Sequence, residues 1–332
     1  MYVYKRYPLV IIVISVFYAA TLQAQTCSGL KLLEEFAGKK IALRNNTLLF
    51  TTDILKMDID GSRHSYGVHD QGVEHICNGL SPVSPFECQN VVQQGICFHH
   101  CQQQFKAWHQ DGHDLAKLHL YMRSIGLGGG NGSVPQVKVQ PPPNDDMFVS
   151  HTSVRYGPWQ KGQPVDSIEK QDAQLEAFEV PFFVIPPRFR ALPWDATPGD
   201  LGVAVHAQAP ARYVLFVVGD IGGKLDEGSV KLHELLSAKP LKPQIKPNVF
   251  GKLMQRHGDT SLTHFNKDSR LDLKVAIFRH TSRFDRSKSG SRVILQGIDN
   301  QDALLKFIRD KGEQALLAFG GSQAVIDCTR EL

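Results

Sequence analysis

Two stretches of this 332-residue chain crowd carboxylates among residues that turn the backbone. The first is Met57-Asp58-Ile59-Asp60-Gly61-Ser62. The second is Gly219-Asp220-Ile221-Gly222-Gly223-Lys224-Leu225-Asp226-Glu227-Gly228-Ser229. In the second, the apolar run from Val214 to Val218 predicts a strand that delivers Asp220 to its exit. Glycines then allow a tight turn, and Glu227 returns just before a helix that Ser229 is placed to cap. A strand exit and a helix entry joined by a short glycine loop can set two carboxylates across one cleft. Such a pair is what hydrolysis of a glycosidic bond requires: one carboxylic acid protonates the leaving oxygen, and the other carboxylate activates water or attacks. A separation of about 6.5–9.5 Å serves inversion and about 5–5.5 Å retention. The simpler alternative is a plain turn.

The residues around these acids offer binding groups. His64, Ser65 and Tyr66 follow the first acidic block and can hydrogen-bond a sugar, or they form an exposed turn. Lys224 can hold Asp220 ionised, or it is a solvated lysine. Trp159 and Trp194 lie near Pro and Gly, where an indole either stacks on a sugar ring or packs its own loop. Asp58-x-Asp60-Gly61 begins like a calcium loop, but no Glu closes it, and no metal is assigned. The glycine-rich stretch 126–132 lacks the Lys-Ser/Thr of a phosphate-binding loop and has no preceding strand, so no nucleotide cofactor is expected.

The elements that must position these groups are mostly strands. Ile41 to Thr52 predicts a hairpin turning at Asn45-Asn46. Met147 to Val154, Phe182 to Ile185, Leu201 to Val205, Tyr213 to Val218, Leu273 to Phe278 and Val293 to Leu295 are further strand segments. Leu30 to Phe36 carries apolar residues at helical spacing. Residues 89–122 are mostly helical, broken near Gly95 and again at Asp111-Gly112. A short helix after Ser229 should turn Leu232, Leu235 and Leu236 inward, and Gln301 to Arg309 is a final amphipathic helix. Residues 239–247 form a Pro/Lys loop. The expected fold is therefore mainly β with added helices: one barrel-like catalytic domain with a Cys-bearing helical elaboration around residues 87–125.

Residues 1–24 have the form of a secretory signal. Lys5 and Arg6 precede an apolar run from Leu9 to Leu22, and Leu22-Gln23-Ala24 is a small-residue cleavage site. The run is short for a membrane span. Export would leave a mature domain over 25–332 that meets no membrane. Six cysteines, at 27, 77, 88, 97, 101 and 328, agree with an oxidising compartment. Sequence does not choose among their pairings, although Cys27 and Cys328 lie near opposite ends and suggest a staple. With 37 basic and 33 acidic residues the chain lacks the basic excess of a nucleic-acid binder. Its 42% hydrophobic and 21% charged residues exclude fibrous and wholly disordered classes. A monomer is expected.

Four blocks resemble, in order, the fungal-type chitosanases of glycoside hydrolase family 75 and their secreted bacterial relatives. They are Met57 to Ser62; Phe148-Val149-Ser150-His151-Thr152-Ser153-Val154; Phe183-Val184-Ile185-Pro186-Pro187; and Gly219-Asp220-Ile221-Gly222 followed by Glu227-Gly228-Ser229. The resemblance covers residues 57–236. It departs from the family at Gly223, where the family has Pro, at Asp226, where it has Gly, and in the shortness of the loop between the two acids. It implies endo-hydrolysis of chitosan with inversion, with Asp220 and Glu227 as the catalytic pair, Asp220 as base and Glu227 as acid. Asp58, Asp60, His64, Tyr66 and Lys224 are then substrate-binding candidates. Chitosan is a polycation, and removal of the signal leaves a net charge near +2, so attraction must come from a locally acidic cleft. An acetylated amino-sugar glycan or peptidoglycan is the alternative polymer. A secreted carbohydrate- or cell-wall-binding protein without turnover is the alternative function.

Overall fold

The computed structural model describes residues 27–53, 55–58, 60–62, 103, 107, 110–112, 139–140, 147–148, 152–157, 171–237, 272–281, 284–286, 293–330 and 332. The signal, His64, Tyr66, Trp159, the 239–247 loop, the glycine-rich stretch and the four cysteines at 77, 88, 97 and 101 lie outside them. So does most of the helical elaboration, of which residues 103, 107 and 110 are helical and Asp111-Gly112 is a turn.

Alternating apolar residues make the strands. In chain order they are β1 (Lys31–Leu32), β2 (Ala42–Arg44), β3 (Thr47–Thr52), β4 (Lys56–Asp58), β5 (Val139–Gln140), β6 (Met147–Phe148), β7 (Val154–Arg155), β8 (Phe182–Ile185), β9 (Leu201–His206), β10 (Ala209–Ile221), β11 (Glu227–Ser229), β12 (Leu273–Phe278), β13 (Phe284–Arg286) and β14 (Val293–Leu295). Nine of them form one sheet in the order β1-β2-β3-β12-β9-β10-β8-β11-β4. Neighbours run antiparallel except β8 beside β10 and β11 beside β4, which are parallel. The sheet is mainly β with helices added, as expected, but it is not a barrel. Among the described residues it is open, ending at β1 on one side and β4 on the other. Short strands are common to open and closed sheets, so their lengths do not decide closure.

Period-two alternation sends side chains to both faces. Phe182, Val184, Val203, Val205 and Val217 belong to one buried cluster, and Phe183, Ile185, Ala204, Phe216 and Val218 to the other. The first face is covered by α2 (Gln301–Phe319) and α3 (Gly321–Thr329) and by β7 and β14 of a three-stranded sheet. Helix α2 starts at Asn300, whose side chain accepts from the Ala303 N–H, and buries Leu304, Ile308, Gly312, Leu316 and Phe319 along one stripe. It runs past the expected Arg309 and ends at Gly320, which has φ 115°. The second face is covered by α1 (Val230–Ser237) and by the Pro187–Arg190 turn.

Several local expectations hold. The hairpin turns at Asn45, in the left-handed region at φ 53°. Ser229 Oγ accepts the Leu232 N–H at 3.2 Å, as a cap should. Others need correction. Leu30 to Phe36 is not helical: Lys31 and Leu32 pair with Leu43 and Ala42, and Phe36 bridges Lys39 across a turn. Leu232 and Leu236 are buried under the sheet, but Leu235 is 45% exposed because it sits on the outer side of α1. Trp194 does not offer a stacking surface. It is buried, stacked on Phe189 at 5.3 Å, with the Arg188 guanidinium 4.6 Å from its ring centre.

Cys27 and Cys328 form a disulfide with Cα atoms 5.2 Å apart, fastening the start of the described chain to α3. Because 301 residues separate them, the bond removes much of the freedom of the unfolded chain. Replacing both cysteines by alanine should lower the melting temperature by roughly 5–10 °C, on the order of 2–4 kcal/mol. Calorimetry of the two proteins measures it, and equal melting temperatures would mean the staple is dispensable.

Candidate active site

The two acidic stretches meet at one end of the large sheet. β10 brings Asp220 there, and a bulge aims it. Val217 and Val218 pair with Phe182 and Phe183, but the next partner of β8, Val184, pairs with Asp220, leaving Gly219 as the extra residue. Regular alternation would have turned Asp220 to the face of Val218. The bulge puts it on the face of Val184 instead. β11 lies on the other side of β8, and β4 follows beyond it. Glu227 pairs with Lys56 and Ser229 with Asp58, so these four side chains leave the sheet on one face. Ser229 Oγ lies on that face, donating to the Val180 carbonyl at 2.7 Å.

The loop between the acids folds Glu227 back toward Asp220. An added Cβ at Gly222 would stand 2.6 Å from Glu227 Oε2 and 2.7 Å from Val184 Cγ1, so only glycine lets the carboxylate approach the sheet here. Asp60 continues the turn after β4, and its N–H donates to Asp58 Oδ1 at 2.8 Å. Gly61 has φ +86°, and an added Cβ would be driven into the Leu175 carbonyl. The edge strand β4 is gripped through its backbone. The Lys56 N–H donates to the Asp226 carbonyl, and Nε2–H of the buried His233 donates to the Lys56 carbonyl at 3.0 Å. Burial pushes the His233 imidazole down to about 4, so it stays neutral.

Like charges and burial raise the acids together. Asp220 is pushed up to about 7, by burial first and Asp60 second, against hydrogen bonds from Ser153 and Ile221. Asp58 is held well above the usual carboxylate range by burial, then by Asp60 and Asp220, with Glu227 adding to it. Glu227 is raised by burial, then by Asp226, while Lys56 and Lys224 pull it down. Lys56 and Lys224 thus favour the charged form of Glu227, whereas for Asp220 hydrogen bonds do so. Lys224 is exposed on the loop.

The structure therefore brings together Asp58, Asp60, Asp220 and Glu227 from two distant parts of the chain, with Lys224 at their border. Three groups that sequence reasoning gave no role also belong here. Lys56 is visible only through the β4–β11 register. His233 looks in sequence like any polar residue on a short helix. Ser153 Oγ donates to Asp220 Oδ1 at 2.6 Å, and it stands in the second of the four blocks. Among the described residues no group of His, Cys, Asp and Glu has the arrangement to hold a metal ion, and no helix is long and apolar enough to cross a membrane. No family model matches the chain, and no curated protein matches it significantly.

Two outcomes follow from this geometry. Gly61→Ala should cost about 2–4 kcal/mol, since strain and collision act together. Its melting temperature should fall by roughly 5–10 °C, and an unchanged value would mean the turn relaxes freely. Asp220→Asn should act oppositely on stability. The folded protein holds this proton to about 7, whereas the unfolded carboxyl loses it near the ordinary value of about 3.9, so stability declines as pH rises between the two. Removing the charge should raise the melting temperature by about 2–4 °C at pH 8, with the gain vanishing near pH 4. A gain independent of pH would refute the electrostatic cause.

Proposed function

We propose that the chain is an exported glycoside hydrolase acting on amino-sugar polymers, with chitosan as the substrate class and inversion as the stereochemical course. One observation carries this reading. Two carboxyls, Asp220 and Glu227, share a face of the sheet, where burial raises both: Asp220 to about 7 under the further push of Asp60, and Glu227 against the downward pull of Lys56 and Lys224. The four blocks that resemble family 75 also converge. β8 carries the third block and lies between β10 and β11, which carry the fourth, while β4 and Ser153 bring the first and second. Export is supported by the Cys27–Cys328 disulfide and the signal-like start.

A proton held to about 7 suits Asp220 to the role of acid, and two neighbouring cations suit Glu227 to that of base, the reverse of the assignment the resemblance implies. Asp220 gives its proton to the glycosidic oxygen as the bond to the anomeric carbon breaks. Glu227 takes a proton from the water that attacks the opposite face of the same carbon. Asp60 places a carboxylate where a glucosamine ammonium would bind, with Asp58 beside it as a further hydrogen-bonding group, and a charge-assisted bond there is roughly twice as strong as a neutral one.

Reducing ends released from chitosans of graded acetylation test the proposal. Wild type should release them, Asp220→Asn and Glu227→Gln should each lose about 10²–10⁴-fold in kcat, and both should still bind polymer. Activity should fall as pH rises through about 7, where Asp220 loses its proton. Binding without release by the wild type would instead identify a carbohydrate-binding protein without turnover. Undiminished activity in both variants would move the chemistry elsewhere.

A further inference from the structure

Asp220 Oδ1 accepts three hydrogen bonds: from the Ser153 hydroxyl at 2.6 Å, the Ser153 N–H at 3.0 Å and the Ile221 N–H at 2.7 Å. A carboxylate oxygen has two in-plane lone pairs, so three donors occupy it fully and leave it no room for a proton. Ser153 is itself fixed. Its carbonyl accepts the Val293 N–H at 2.9 Å, tying it to β14. The preceding residue, Thr152, is buried, with its N–H on Gln174 Oε1 at 3.1 Å and its hydroxyl accepting the Leu175 N–H at 3.2 Å. Gly61, from the turn after β4, packs against this same Thr152.

We infer that Ser153 is a positioning residue: it ties up Oδ1 of Asp220 and thereby makes Oδ2 the oxygen that carries and delivers the proton. This deepens the hydrolase reading and rests on it for its catalytic meaning. Among the described residues, the charges that act on Asp220 are Asp60, in the turn after β4, and Asp58 on β4; Glu227 on β11 acts on Asp58 and Asp60, with Asp226, Lys56 and Lys224 beside it. Burial, Asp60 and Asp58 favour the protonated carboxyl. Hydrogen bonds to the ionised form oppose them and hold the titration near neutral pH, where the group can both give and regain its proton. The same bonds fix the plane of the carboxyl group, so the proton leaves in one direction.

The test compares Ser153→Ala and Ser153→Thr with wild type, following the Asp220 carboxyl by carbon NMR across pH and the pH–rate profile on chitosan. Ser153→Ala keeps the N–H and loses the hydroxyl, the shortest of the three bonds. Asp220 should then titrate about one unit higher, since one hydrogen bond to a charged group is worth about that much. The alkaline limb of the rate profile should move with it, and kcat should fall about 10-fold or more with KM little changed. Ser153→Thr restores a hydroxyl and should return both the titration and the limb toward wild type. If Asp220 titrates alike in wild type and Ser153→Ala, the inference is overturned, whatever the activity. A shifted titration in a protein that releases no reducing ends upholds the hydrogen-bond role and refutes the hydrolase reading instead. If alanine unfolds the chain, Ser153→Cys decides, because a thiol is a weaker donor of similar size: Asp220 should titrate higher than in wild type, and an unchanged titration overturns the inference.

Discussion

Asp58, Asp60, Asp220 and Glu227 repel one another, and burial makes that repulsion expensive. A flexible chain would relieve it by swinging the carboxyls apart into water. Here they are attached to β4, β10 and β11, which are clamped on either side of β8. β8 is apolar on both faces and buried throughout, so it cannot move without opening both cores. The sheet is thus what keeps like charges close. Protonation relieves both burial and repulsion, and burial first, then Asp60, is why Asp220 holds its proton to about 7.

The supporting contacts follow from this constraint. A three-residue parallel ladder is a weak hold on the edge strand β4. Asp226 and His233 add hydrogen bonds at both sides of the Lys56 peptide, on the strand that carries Asp58. His233 serves because it is buried and neutral, donating from one ring nitrogen without bringing a charge into the core. On the far side, Thr152 and Ser153 tie the acids to the smaller sheet through β14 and through the Gln174-Leu175 segment. Turns with special backbone, at Gly61 and at the Gly219 bulge, set the directions that straight strands would not give.

Strands were legible where the signal is local. Phe182–Ile185, Leu273–Phe278 and Val293–Leu295 have the bounds their apolar runs indicate. Asn45 and Ser229 also act as their chemistry suggests. What local pattern could not convey is which strand lies beside which. The open sheet, against an expected barrel, depends on β12 entering between β3 and β9, a pairing across more than two hundred residues of chain. The Leu30 to Phe36 region followed the same rule: its spacing suits a helix, but pairing with β2 overrides it. In the site, Asp220 and Glu227 stood out because glycines surround them. Ser153 and Lys56 did not, since their place beside those acids comes only from register.

The position of β12 has a kinetic side. Strands β1 to β3 are made first, and β9 and β10 form their own antiparallel pair much later. Among the described residues no strand bridges β3 to β9 directly until residues 273–278 arrive to hydrogen-bond both. Through most of synthesis, then, β3 and β9 each present an unpaired, apolar edge, the kind that invites another chain. β4 reaches the other half by a separate route, through β11 and β8, so the acids meet across a part of the sheet that does not wait for β12.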